Sequence, residues 1–345
     1  MARKYSRRKF VTAASIASVV GLAGCSGGGD DGGDGGDDGG NETGDDGGNE
    51  TGDDGTGTNG GTQRLSWHAG GTGGTYFPLS NEIKTIVEEN TDFALNVQST
   101  GASVENVGSL ANGNADFALI QNDIAFFAKN GTGIDTFQDR PIENLMGVAT
   151  LYPETITLVT LQGTGIQTVD DLAGATINTG DLGSGTQVNA LQILEAVGVQ
   201  DFNEQNTSFS QAADQLRNGD IDAAFVVGGW PVGAIEDLAT TNNINIVPIE
   251  GEDRQAVKDA ADWFADDTIP GGTYSGVSSD VDTVSVQAMI ATNESVPEST
   301  VEQVTAAIFD NVDSLTIKTQ FISRDSAQDG MSIELHPGAA AYFDA

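Results

Sequence analysis

From residue 63 onward, short apolar runs alternate with stretches whose apolar residues recur every three or four positions, whereas residues 26–62 hold only Gly, Asp, Asn, Glu, Thr and Ser. The apolar runs predict strands at 65–69, 93–99, 116–120, 145–151, 155–161, 175–178, 223–227, 244–248 and 283–292. The helical period predicts helices at 76–89, 103–112, 123–129, 186–197, 212–218, 253–264 and 298–314. Strand and helix in alternation signal an α/β fold. About 280 residues is long for one doubly wound unit, so two lobes are expected.

The amino end follows other rules. Ser6-Arg7-Arg8-Lys9-Phe10-Val11 leads into roughly fourteen small or apolar residues that end at Leu22-Ala23-Gly24-Cys25. That run is too short to span a bilayer, and with its paired arginines it reads as a twin-arginine export signal over 1–24, closed by a lipoprotein cleavage box. Cys25 is the single cysteine of the chain and the expected lipid attachment point. The protein is therefore expected outside the cytoplasm, held to the outer face of the cell membrane by that lipid. Residues 25–62 cannot form a core; glycine makes them flexible and their charges extend them, as suits a tether. The octet Gly-Gly-Asn-Glu-Thr-Gly-Asp-Asp occurs there twice, from Gly39 and from Gly47. Its aspartates lack the closing glutamate and flanking helices of an EF-hand, while Asn41-Glu42-Thr43 and Asn49-Glu50-Thr51 fit the glycan-acceptor pattern.

Charge changes the picture further. The whole chain has a formal balance of −37, and residues 63–345 hold nine bases against forty acids, or −31. Internal pairing cannot neutralise that excess. Molar salt shortens the screening length to about 3 Å and removes most of the self-repulsion, so a hypersaline habitat is expected. Six lysines in the entire chain agree with this. No basic stripe exists to displace counterions from nucleic acid, which is excluded as a partner.

Four predicted strand-to-helix junctions share one chemistry: Gly70-Gly71-Thr72-Gly73-Gly74-Thr75-Tyr76, Ser99-Thr100-Gly101-Ala102-Ser103, Gln121-Asn122-Asp123 and Gly180-Asp181-Leu182-Gly183-Ser184-Gly185-Thr186. Each puts small or hydroxylic residues at a helix start, where unpaired amides and about half a positive charge attract a carboxylate or phosphate without a basic side chain. Any one of them is equally an ordinary N-cap or tight turn. All four at carboxyl ends of strands favour a shared site. Four aromatic residues beside loops are candidates to cover a ligand: Tyr76, Tyr152, Trp230 and Tyr274.

Other chemistries fit poorly. The first loop lacks G-x-G-x-x-G spacing, because its third glycine would fall at Tyr76, and no Walker lysine exists. Two histidines, His68 and His336, do not make a metal site, and with the cysteine assigned to lipid no catalytic base is evident. Gly183-Ser184-Gly185 is not a G-x-S-x-G elbow, which disfavours a serine hydrolase. No cofactor is expected.

Read together, Gly70 to Pro78, Ser103-Val104-Glu105-Asn106, Ala115 to Asp123, Asn130-Gly131-Thr132-Gly133, Leu151-Tyr152-Pro153-Glu154, Gly183 to Thr186, Asp222-Ala223-Ala224-Phe225, Ile269 to Tyr274 and Leu335-His336-Pro337-Gly338 occur in the order found in a known family. The stretch from Leu65 to Ala345 resembles the TAXI extracytoplasmic solute receptors of tripartite ATP-independent periplasmic (TRAP) transporters. The resemblance implies a type II periplasmic-binding-protein fold, with lobe I at 63–161 and 275–345 and lobe II at 162–274. It implies no catalysis. A small organic anion such as glutamate or 2-oxoglutarate would be trapped between the lobes and delivered to an ion-gradient-driven permease. The ligand-binding residues expected are Thr72, Gly74, Thr75, Tyr76, Thr100, Ser103, Gln121, Asn122, Ser184, Gly185 and Thr186, with Tyr152, Trp230 and Tyr274 shaping and covering the site. Trp230 stands where relatives commonly have tyrosine, and Ala102 where a second glycine is frequent. The alternatives are the receptor of an ABC importer, an exported enzyme and a structural surface protein.

Overall fold

The computed structural model describes residues 62–345; the export signal, Cys25 and nearly all of the acidic tether lie outside the described residues. Ten strands and nine α-helices follow one another as β1 (Gln63–His68), α1 (Tyr76–Asn90), β2 (Phe93–Gln98), α2 (Ser103–Ala111), β3 (Phe117–Gln121), α3 (Asn122–Asn130), β4 (Leu145–Leu161), β5 (Thr176–Asn178), α4 (Gly185–Val197), β6 (Asn203–Gln205), α5 (Phe209–Asn218), β7 (Ala223–Val227), α6 (Gly233–Thr241), β8 (Ile244–Val247), α7 (Gly251–Ala260), β9 (Ala265–Ile269), β10 (Val281–Asn293), α8 (Glu298–Phe309) and α9 (Pro337–Phe343).

The strands join in the order β2-β1-β3-β10-β4-β7-β5-β6, with β8 on β4 and β9 on β10. β1, β2 and β3 are mutually parallel, and so are β5, β6 and β7. β10 lies antiparallel between β3 and β4, and β4 antiparallel to β7 and β8. Two long strands therefore serve both ends of the sheet. β4 pairs with β10 through Thr155 and then with β7 from Ile156. The runs predicted separately at 145–151 and 155–161 are this one strand, since Tyr152, Pro153 and Glu154 stay extended between them. The architecture is a mixed α/β sheet whose two parallel ends are joined through the long antiparallel strands β10 and β4.

Burial explains why the central strands are legible. Phe117–Gln121 and Ala223–Val227 are buried at every position, as expected of strands covered by helices on both faces. Four apolar clusters supply the cover. One joins Trp67, Leu79, Ile83 and Ile290 with Val304 and Ile308; another joins Val107, Leu110, Ile120 and Ile124. At the other end, Leu158, Ile177, Ile193 and Phe225 form a third, and Leu216, Val226, Ile235 and Leu238 a fourth. Among the described residues no helix is long and apolar enough to cross a membrane.

Candidate functional site

Three of the four helix starts predicted to share a site border one cavity; of the remaining junction, at α3, Gln121 lines it and Asn122 and Asp123 do not. The loop after β1 leads to α1, the turn after β2 to α2, and the turn after β5 to α4; all three border it. A fourth start, Ser208-Phe209-Ser210 at α5, also lines the cavity. Sequence reasoning missed that one because β6 before it is Asn203–Gln205, three exposed polar residues without an apolar signature. The cavity measures about 120 Å³, room for roughly eight to twelve water-sized groups. A molecule of about ten heavy atoms fits.

Of the predicted residues, Thr72, Gly74, Thr75, Tyr76, Ser103, Gln121, Ser184, Gly185 and Thr186 line this cavity. Five others do not. Thr100 Oγ1 donates to the carbonyl of Ala69 at 3.1 Å and to Asn106 Oδ1 at 2.7 Å, which braces the turn from behind. Asn122 Oδ1 accepts from the amide of Gln287 at 3.0 Å and its Nδ2 donates to the carbonyl of Gly330, tying α3 to β10. Tyr274 is packed against Val226 and Ile235, its hydroxyl accepting the Val232 amide at 3.0 Å. The Trp230 ring meets Phe321 edge-on at 5.9 Å. Tyr152 is fully buried, and its hydroxyl donates to Glu154 Oε1 at 3.2 Å. All three rings stand outside the cavity lining.

The backbone around the cavity needs small residues. Cβ atoms added at Gly73 and Gly185 would overlap the Ser210 and Gln121 side chains respectively. Both contacts reach across from one end of the sheet to the other. Hydrogen bonds do the same: Thr75 Oγ1 donates to the carbonyl of Gly228 at 2.5 Å, the Ala234 amide to the carbonyl of Gly73 at 3.1 Å, and Gln121 Nε2 to Asn189 Oδ1 at 3.0 Å. Ala102, before α2, holds φ 69° and ψ −143°, a region that glycine occupies far more readily than alanine.

Ser184 caps α4 by accepting the Gln187 amide at 3.1 Å, a structural use for the hydroxyl once weighed as a nucleophile. His336 likewise caps α9, Nδ1 accepting from the Gly338 amide at 3.2 Å. His68 is buried at the end of β1 outside the cavity lining, and burial pushes its pKa down.

The electrostatics hold one surprise. Among the described residues no Lys, Arg or His lines the cavity, yet Glu154 and Asp181 do. Glu154 is 3% exposed, with Oε2 accepting from the Tyr76 hydroxyl at 3.0 Å and Oε1 from that of Tyr152. Burial pushes its pKa up to about 8, against the lowering effect of the Tyr76, Gln121 and Tyr152 side chains. At neutral pH its carboxyl is therefore mainly protonated. Burial also raises the pKa of Asp181, with Glu105 adding to the effect.

Residues 68–344 match the NMT1-like family. The chain belongs to that family. Among solved structures, it is similar to an ancestral arginine-binding protein bound to arginine, at 13% identity over 75% of this chain and 96% of the other, with a TM-score of 0.47. The GluR0 ligand-binding core in complex with L-glutamate is similar at 9% identity over 76% and 99%, with a TM-score of 0.45. The periplasmic aliphatic sulphonate binding protein SsuA from Escherichia coli is similar at 12% over 82% and 83%, with a TM-score of 0.42.

Proposed function

We propose that this NMT1-like chain is an extracytoplasmic solute receptor that captures a small organic anion, glutamate, 2-oxoglutarate or a similar carboxylate, and passes it to a membrane permease of the TRAP type. The observation that carries the reading is the meeting of the α1, α2, α4 and α5 starts around a cavity that no cationic side chain lines. First-turn amides lack a carbonyl one turn earlier, so a carboxylate placed among them gains hydrogen bonds and the favourable ends of several helix dipoles. Residues 63–161 with 275–345 form one lobe in this account, and 162–274 the other. Closure of the lobes expels water and strengthens each of these bonds, and the permease recognises the closed form by population shift. Lipid on Cys25 and the acidic tether keep the receptor near its permease, in a medium salty enough to screen its surface.

Calorimetry in molar salt with amino acids, 2-oxo acids and dicarboxylates tests the reading. Saturable binding of at least one, lost when the helix starts are altered, is expected; no binding by folded protein defeats it. An ABC importer is the alternative carrier. A large membrane subunit encoded beside this gene without an ATPase favours the TRAP route, and a neighbouring nucleotide-binding subunit the other.

A further inference from the structure

A cavity built only to hold an anion has no use for a buried carboxyl group, and this one contains Glu154. Its two oxygens accept from hydroxyls on two different elements, Tyr76 on α1 and Tyr152 on its own strand β4. Each oxygen keeps a further lone pair. No ion pair to Glu154 exists among the described residues. The one nearby cation, Lys318, stands over the Tyr152 ring with its Nζ 5.8 Å from the centroid, and donates to the carbonyls of Trp230 and Pro231 at 2.6 and 3.1 Å. It lies outside the cavity lining. From α3, the buried Asp123 acts on Glu154 with a like charge, and from β3 Gln121 presents its amide. Gln121 Oε1, also buried and lining the cavity, has no hydrogen-bond partner. Gln121 Oε1 thus awaits a donor beside a carboxyl group without a counterion, inside a space that already offers helix-start amides to an anion.

Resting on the receptor reading above, we infer that Glu154 is the specificity-determining residue of the cavity, a subsite for an ammonium group, so that the preferred ligand is an acid that also carries an amine. Binding then involves a defined proton balance. The Glu154 carboxyl loses its O–H proton to the buffer, and the carboxylate left behind accepts an N–H bond from the incoming ammonium, while Gln121 Oε1 is placed to accept another. The ligand's carboxylate lies against the helix starts. An amine-free acid of the same length leaves Glu154 and Gln121 unsatisfied and releases no proton. Discrimination by unpaired buried polar groups is steep.

The test uses three matched pairs titrated into the folded protein in molar NaCl at pH 7: L-glutamate with glutarate, L-alanine with propionate, and L-leucine with 4-methylpentanoate. Each titration is run in phosphate and in Tris, whose different ionisation heats report protons released. The expected result is that at least one amine-bearing acid binds about a hundredfold more tightly than its partner and releases close to one proton. In Glu154→Gln that release disappears and the preference falls at least tenfold. Equal binding of an amine-free partner, or binding of an amine without proton release, overturns this inference and leaves the receptor reading standing. Binding of none of the six overturns this inference, and the receptor reading falls with it only if the 2-oxo acids of the wider panel also fail to bind. Retained preference in folded Glu154→Gln assigns the selectivity elsewhere and also overturns it.

Discussion

Replacing Glu154 by glutamine should make the protein more stable, by an amount that grows with pH. The folded carboxyl titrates at about 8 against a reference of 4.5 because it is buried. Between those values the folded chain keeps a proton that the unfolded chain has released, so stability present at low pH is lost as pH rises. Each pH unit in that window removes about 1.4 kcal/mol, or roughly 4 kcal/mol from pH 5 to pH 8. Glutamine has nearly the same shape, accepts one tyrosine hydroxyl through its oxygen and donates its amide to the oxygen of the other, and has no such slope. Asp123, raised to about 6 by burial, has the same sign but is common to both proteins and cancels in the difference. Lys318, pushed down to about 8 by burial, acts in the opposite direction only above that pH, which sets the upper limit of the comparison. Urea unfolding in molar salt at half-unit steps from pH 5 to 8 measures it. The two stability curves should diverge by about 4 kcal/mol, on the order of 8 °C in Tm for a chain of this size. Parallel curves would refute the assignment of Glu154 as a buried acid without a counterion.

Other expectations follow from the same geometry. Ala102→Gly should raise stability by about 1 kcal/mol, because it relieves a residue held at φ 69°, as read from the urea midpoint. Tyr274→Phe should cost about 1–2 kcal/mol by orphaning the Val232 amide, and calorimetry should show ligand affinity unchanged because the ring lies outside the cavity lining. Gly185→Ala forces the Gln121 amide away from Asn189, a loss of about 1 kcal/mol that should weaken ligand binding about fivefold or more in the same assay. Lowering salt from 1 M to 10 mM lengthens the screening distance from about 3 to about 30 Å, so Tm should fall steeply for a chain with a formal balance of −37.

What could be read from sequence follows from where each signal arises. β3 and β7 are uninterrupted apolar runs because helices cover both of their faces, and the glycine and hydroxyl clusters after β1 and β5 mark helix starts by local chemistry alone. β9 lies just beyond the helix predicted at 253–264, where no element is expected; α7 ends at Ala260, and Ala265–Ile269, with two acids among five residues, is extended because it pairs with β10. Pairing is a tertiary fact. α6 and α9 were missed because the glycines and prolines at their starts, Gly228-Gly229-Trp230-Pro231 before Gly233 and Pro337-Gly338, carry turn signals. Tyr152 and Tyr274 were placed over the ligand because they adjoin prolines and glycines, but loop composition does not say which way a ring turns. Glu154 was visible within Leu151-Tyr152-Pro153-Glu154, yet only the fold reveals that it lines the cavity with both its oxygens held by tyrosine hydroxyls.

The central claim concerns where a carboxylate sits. A crystal structure of the protein with the tightest-binding acid from the calorimetric panel tests it directly. The account predicts carboxylate oxygens within about 3 Å of first-turn amides, such as those of Gly185 and Thr186, with no cationic side chain in contact. A ligand bound elsewhere, or a carboxylate held by lysine or arginine, would contradict it.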